Sequence, residues 1–149
     1  MDVNIKYLKK ALSLAYIAQN KDEVPVGAII VKNGKIIGKG YNQKDKRNIS
    51  TKHAEIIAIE QACRKLNSWH LDDCILYVTL EPCMMCAGAI IQSRIKKVVF
   101  GALSYQDGSL ITKIDIHKII GLNHYPEVIY CQDLPECSKI ITNYFKSKR

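Results

Sequence analysis

The residue types able to do chemistry gather in two short stretches, His53-Ala54-Glu55 and Pro82-Cys83-Met84-Met85-Cys86. One imidazole and two thiols make a set of three zinc ligands. A structural zinc is closed by four protein ligands, whereas a catalytic zinc keeps one position for water. A fourth ligand would have to come from Cys74, Cys131, Cys137, His70, His117 or His124, and none stands at a spacing that marks it. The site therefore reads as open and catalytic. Glu55, two residues after the histidine, is placed to move protons rather than to bind metal, because water activated by zinc is acidic and a nearby carboxylate can pass its proton to a leaving group. Each motif alone has a plainer reading: the C-x-x-C could be a redox pair, and the H-x-E ordinary helix surface. Their order, with Pro82 ahead of Cys83, is what points to zinc.

Two helix starts must then face one metal. Pro82 suits the first turn of a helix, where its missing N–H costs nothing, and that helix is expected to run through Ile90 and Ile91 to Arg94. Both cysteines would sit near its N-terminus, where the dipole and free backbone N–H groups favour thiolate. His53 opens a second stretch, with Ile56, Ile57, Ile59, Ala62, Cys63 and Leu66 at helical spacing. Cys74 to Thr79 and Lys97 to Ala102 read as buried strands. Val24 to Val31 and Lys35 to Tyr41 form a hairpin about Asn33-Gly34. A first helix is expected within residues 2–20, with Asp2 as a possible cap. Beyond the second buried strand come a helical stretch around Ile111 to Ile120, a strand near Glu127 to Tyr130, and a last helix over about Leu134 to Lys146. Strand, helix, strand, helix, strand requires crossovers, and so a parallel portion of sheet with helices on its faces. Ligands in such folds lie beyond the C-terminal strand ends. Asn42 stands at the end of the second hairpin strand, where its side chain could read a base edge as donor and acceptor, or serve as an ordinary turn residue.

With 149 residues, 48% hydrophobic and 24% charged, the default is one domain with a sizeable core. A formal net charge of +8 attracts polyanions and is less expected of an enzyme for a small neutral base, although a lysine-rich proteome would give the same balance. Lysines at 6, 9, 10 and 21 interrupt the N-terminal apolar positions, and no apolar run approaches membrane-spanning length, so a soluble, cytoplasmic protein with no membrane partner is expected. Cys63, Cys74, Cys131 and Cys137 read as core thiols of a reducing compartment.

The chain resembles the cytidine deaminase-like superfamily, and within it the bacterial tRNA-specific adenosine deaminases. The resemblance is carried by Val24-Pro25-Val26-Gly27-Ala28, Gly40-Tyr41-Asn42, His53-Ala54-Glu55, the run from Thr79 to Ala89, Arg94-Ile95, Gly121-Leu122-Asn123-His124 and the aromatic, basic C-terminal helix. It implies an α/β fold of three layers, α-β-α, with a five-stranded mixed sheet and an antiparallel first hairpin, as a single deaminase domain over residues 1–149. It implies conversion of adenosine to inosine at the wobble position of a tRNA anticodon stem-loop, in a homodimer with one Zn2+ per subunit. His53, Cys83 and Cys86 would hold the metal and Glu55 would shuttle protons. The main chain at Glu81, Pro82 and Cys83 would help bind water and the amino group, and Asn42 would contact the base. Val26, Ser104, Asp107, Asn123, Tyr144, Phe145 and Arg149 are the further substrate contacts it suggests. Members of this family often carry an aspartate, near the ribose, where this chain has Ser104; either Asp107 substitutes or the ribose contact differs. Two other functions share these residues: deamination of a free base such as guanine or cytosine, which the positive charge argues against, and a silent RNA-binding subunit, which Glu55 argues against.

Overall fold

The computed structural model describes residues 3–148. Helix α1 (Ile5–Asn20) is capped by Asn4, whose side chain accepts from the Lys6 N–H at 3.0 Å; Asp2, the cap expected from the sequence, lies outside the described residues. Strands β1 (Gly27–Lys32) and β2 (Lys35–Tyr41) form the expected antiparallel hairpin. Its two turn residues, Asn33 and Gly34, have φ of 50° and 75°, as a two-residue turn matched to the strand twist requires. A four-residue helix, α2 (Lys44–Arg47), interrupts the loop expected after β2. Then follow α3 (Ala54–Leu66), β3 (Cys74–Val78), α4 (Met84–Gln92), β4 (Lys97–Phe100), β5 (Glu127–Tyr130) and α5 (Glu136–Ser147).

The sheet order is β2-β1-β3-β4-β5, with β1 antiparallel to both neighbours and β3, β4 and β5 parallel. Alternation along each strand builds the three layers, since successive side chains point to opposite faces. Ala28, Ile30, Leu76, Val78, Val98 and Phe100 pack with Ala54, Ala58 and Ala62 of α3 and Ala87 and Ile90 of α4. Ile29, Val31, Tyr77 and Val99 pack on the other face with Leu8, Leu12 and Ala15 of α1 and Cys137 and Ile140 of α5. The mixed five-stranded sheet between two helical layers is the architecture the sequence led us to expect.

Four local expectations are corrected. Helix α4 begins at Met84 with Cys83 as its cap, so Pro82 precedes the helix rather than occupying its first turn. The reason is long-range: the Glu81 N–H donates to the Ala102 carbonyl and the Ser109 N–H to the Pro82 carbonyl, both at 2.8 Å, holding this segment extended. The helix also stops at Gln92, and Arg94 takes a left-handed φ of 60° that turns the chain into β4. Between Ile111 and Ile120 only Ile116–Lys118 is helical, as one 3-10 turn, because Lys113 and Ile114 both donate back to the Gly108 carbonyl instead of entering an α-helical ladder. The last helix begins at Glu136, two residues later than expected.

Candidate active site

His53 and Cys83 occupy equivalent positions, each the extended residue immediately before a helix, with φ, ψ of −77°, 155° and −76°, 179°. Neither side chain caps its own helix, so both are free to turn toward each other. Cys86 follows in the first turn of α4 and is fully buried. His53 Nδ1 lies 3.6 Å from the Sγ of Cys83 and 3.6 Å from that of Cys86, and all three donor atoms fall within 4.8 Å of one another. Zinc at about 2.3 Å from sulfur and 2.0–2.1 Å from nitrogen, in a tetrahedron, needs an N···S edge of about 3.6 Å. The cluster therefore has the spacing of three corners of a zinc site, and among the described residues it is the one group of this kind.

The charges inside the cluster are already polarised. Hydrogen bonding from Cys86, set against burial and supported by His53, lowers the Cys83 pKa to about 4, so Cys83 is a thiolate. Its bond to Cys83 raises the His53 pKa despite burial. Cys86 is driven far in the other direction, first by its bond to the Cys83 sulfur and then by burial, and stays protonated. A cation at this point would take over the stabilisation of the second sulfur as a thiolate, since thiolate is the form that binds metal.

Glu55, in the first turn of α3, is 4% exposed. Burial pushes its pKa up to about 7, partly opposed by its own backbone N–H and reinforced by the Cys83 charge. It borders a cavity of about 220 Å³ together with His53 and Cys83. Pockets for drug-sized ligands run to about 300–1,000 Å³, so this one suits a single base.

Asn42 is buried on the cavity wall, and its Oδ1 accepts from the Ala54 N–H at 3.0 Å. It thus supplies the side-chain cap that His53 does not, satisfying the first N–H of α3 from a distant strand end. Its amide nitrogen is not needed for that bond. Val26, Ser104, Asp107 and Phe145 also reach the wall. Ser104 donates its hydroxyl to Asp107 Oδ1 at 2.8 Å, so the Asp107 carboxylate is held against the serine on the cavity wall.

Other expected contacts stand differently. Glu81 is 1% exposed, and although it borders the cavity its carboxylate accepts from the N–H groups of Ser104, Leu110, Ile111 and Thr112 and from the Thr112 hydroxyl. Burial alone would raise its pKa, but these donors hold it below the usual carboxylate range. The carboxylate has no acceptor capacity left for a substrate; the contact expected at this position is the main chain's. Asn123 is exposed before β5, where the neighbouring His124 Nε2 meets the Ile95 carbonyl at 2.6 Å. That is the N-terminal end of the parallel strands, opposite to the cavity. Tyr144 packs edge-on against Phe145 with Lys148 over its ring, and does not line the cavity. Arg149 lies outside the described residues.

Lys44, of the basic loop after Asn42 whose charges read from the sequence as a solvated face or a phosphate track, lines the cavity. Val24, Leu80 and Gln106 line it too without having been singled out from the sequence as contacts; Leu80 lies in the run leading to Cys83 and could have been found, whereas Gln106 has no local signal. Leu80, Ser104, Gln106 and Phe145 also border a larger neighbouring cavity of about 620 Å³, reaching Tyr105, Ile141, Lys146 and Lys148.

Known proteins resemble this chain in sequence and in fold. The family model for MafB19-like deaminases matches residues 3–149. A tRNA-specific adenosine deaminase of Aquifex aeolicus is 46% identical over 143 residues, covering 96% of this chain and 94% of its own. One from Bacillus subtilis is 41% identical, with 96% and 89% covered. A structure from studies of A-to-I editing by tRNA:A34 deaminases superposes with a TM-score of 0.88 at 35% identity, covering 92% of this chain and 99% of that one. A guanine deaminase from Bacillus subtilis superposes with a TM-score of 0.66 at 32% identity, with 98% and 95% covered. A cluster of zinc-ligand spacing beside a buried glutamate, in a chain with these relatives, places the protein in the MafB19-like deaminases, and within them it belongs to the family of the tRNA-specific adenosine deaminases.

Proposed function

We propose that the chain is a single zinc-dependent deaminase domain that converts adenosine to inosine at the wobble position of a tRNA anticodon. The observation that carries this reading is the three-donor cluster, at 3.6 Å spacings, with the buried Glu55 beside it on a base-sized cavity. His53, Cys83 and Cys86 would hold one zinc per subunit, and the metal would supply the Lewis acidity that makes water a nucleophile toward the purine. Glu55 takes a proton from the water and delivers it to the ring nitrogen, then takes the second proton from the added hydroxyl and delivers it to the amino group, which leaves as ammonia while the oxygen becomes the carbonyl of inosine. The overall balance is adenosine plus water giving inosine plus ammonia. A carboxylate whose pKa lies near neutrality can do both halves of that transfer.

Asn42 fixes the orientation of the base, because its oxygen is committed to Ala54 and its nitrogen then presents a donor of fixed direction. Val26 and Phe145 give the base apolar walls, and the Ser104–Asp107 pair accepts from a ribose hydroxyl. The larger cavity, with Lys146 and Lys148 at its rim, accommodates the flanking nucleotides of the extruded loop. The enzyme works in the cytoplasm, where tRNA is found. Among the described residues no helix is long and apolar enough to cross a membrane. It acts as a homodimer, for which Met84, Ile111 and Ile120, exposed at 66%, 38% and 97%, supply apolar surface to be covered.

The test is deamination of a synthetic anticodon stem-loop with adenosine at the wobble position, inosine being read by mass spectrometry and free adenosine, guanine and cytosine run in parallel. Inosine in the stem-loop alone is the expected result. Product from a free base alone would move the protein to nucleobase salvage, a second reading favoured by the likeness to the guanine deaminase at 32% identity.

A further inference from the structure

Among the described residues three carboxylates are buried: Glu55, Glu23 and Glu81. Only Glu55 has a part in the chemistry. We infer that Glu81 and Glu23 are positioning residues, each clamping by its carboxylate the backbone of one of two loops that line the cavity. The inference rests on the cavity being the substrate site.

Glu81 carries the larger share. Its Oε1 accepts from Ser104 N at 3.2 Å and from the Thr112 hydroxyl, and its Oε2 from the N–H groups of Leu110, Ile111 and Thr112 at 3.2, 2.8 and 2.9 Å. The loop winds around this one side chain, and Gly108 makes the approach possible: a Cβ there would lie against the Glu81 carboxylate and 2.5 Å from the Ser104 carbonyl. Ser104, Gln106 and Asp107, all on the wall, belong to the segment so held. Glu23 repeats the device on the second loop, accepting from Asp45 N at 3.1 Å and Lys46 N at 2.6 Å, next to the wall residue Lys44. Burying a carboxylate is costly unless several donors compensate it, and an apolar side chain would fill the same space at less cost. What an apolar residue cannot do is fix irregular backbone through its N–H groups.

The variants are E81Q, G108A, their double, and E23Q. Glutamine in place of Glu81 can keep one oxygen toward Leu110, Ile111 and Thr112, but then turns its NH2 group toward the Ser104 N–H and releases that side. E81Q is expected to raise KM for the stem-loop at least fivefold, with kcat changed less than threefold, zinc content at one per chain, and lost amide-hydrogen protection at Ser104. G108A should reproduce both defects, and the double variant should be no worse than either single one, because both break the same contact. E23Q, with two donors at stake, should give a smaller rise in KM and lose protection at 45–46.

A lowered melting temperature with KM unchanged would overturn the inference, as would additive losses in the double variant or unaltered protection. Hydrogen exchange reads the clamp without any assumption about substrate. If the wild type turns over a free base instead of the stem-loop, the wobble reading fails, and the same KM-against-kcat split is read on that base.

Discussion

Glu55 and the cysteines can be separated by experiment because they fail in different ways. Glu55→Gln keeps the shape of the side chain and leaves the three metal donors intact, so zinc content and stem-loop binding should stay at wild-type values while kcat falls about 10²–10⁴-fold, the usual worth of a positioned acid–base group. Retained turnover would remove the proton-shuttle role. The thiols offer a second check through their ionisation. With its pKa near 4, Cys83 is a thiolate at pH 6, whereas burial holds Cys74 near 11 and Cys137 near 12, both protonated there. In zinc-stripped protein at pH 6 iodoacetamide should therefore modify Cys83 first and spare Cys74 and Cys137, and added zinc should protect Cys83; peptide mass spectrometry reads the order. At this scale the sequence was most legible, since ligand types and their order are local facts. The Glu81 carboxylate's role was not legible, because its partners, at 104 and 110–112, are distant in the chain.

The elements that aim these side chains depend on close backbone approach. Helix α3 lies so near β2 that a Cβ on Gly40 would strike the Ala54 carbonyl and come within 2.9 Å of Ala58 N. Ala54 is the first residue of the helix, flanked by His53 and Glu55 and held by Asn42, so a displaced helix start moves a metal ligand and the proton shuttle together. Gly40→Ala should cost about 1–3 kcal/mol through overpacking, lowering Tm by roughly 2–12 °C. It should also weaken zinc retention under chelator challenge; unchanged retention would mean that α3 yields without carrying His53 away. The strands and long helices could be read from periodicity, and the hairpin from Asn33-Gly34, because these depend on neighbours in the chain. The stretch from 111 to 120 was expected to be helical and is so only over Ile116–Lys118. Its backbone is committed to the Glu81 carboxylate and to the Gly108 carbonyl, partners that no local pattern reveals.

For the whole molecule the question is whether its net charge of +8 serves binding or is mere background. Lysines are not spread without relation to the site: Lys44 reaches the small cavity, and Lys146 and Lys148 the larger one beside it. One of these is partly occupied, since Lys148 Nζ pairs with Asp22 at 2.7 Å on the exposed surface, a contact that salt and an approaching phosphate would both loosen. Each phosphate neutralised on a single strand contributes about −0.7 to the slope of log K against log salt. If Lys44, Lys146 and Lys148 each meet a phosphate, changing all three to glutamine should make that slope shallower by roughly 2. It should raise KM for the stem-loop at low salt while leaving zinc content unchanged. Catalysis by the cluster would persist, because none of the three ends on a metal donor. A slope unaltered by the triple substitution would assign the charge to solubility, and a KM insensitive to salt in the wild type would favour a free base, whose recognition gains little from a positive surface.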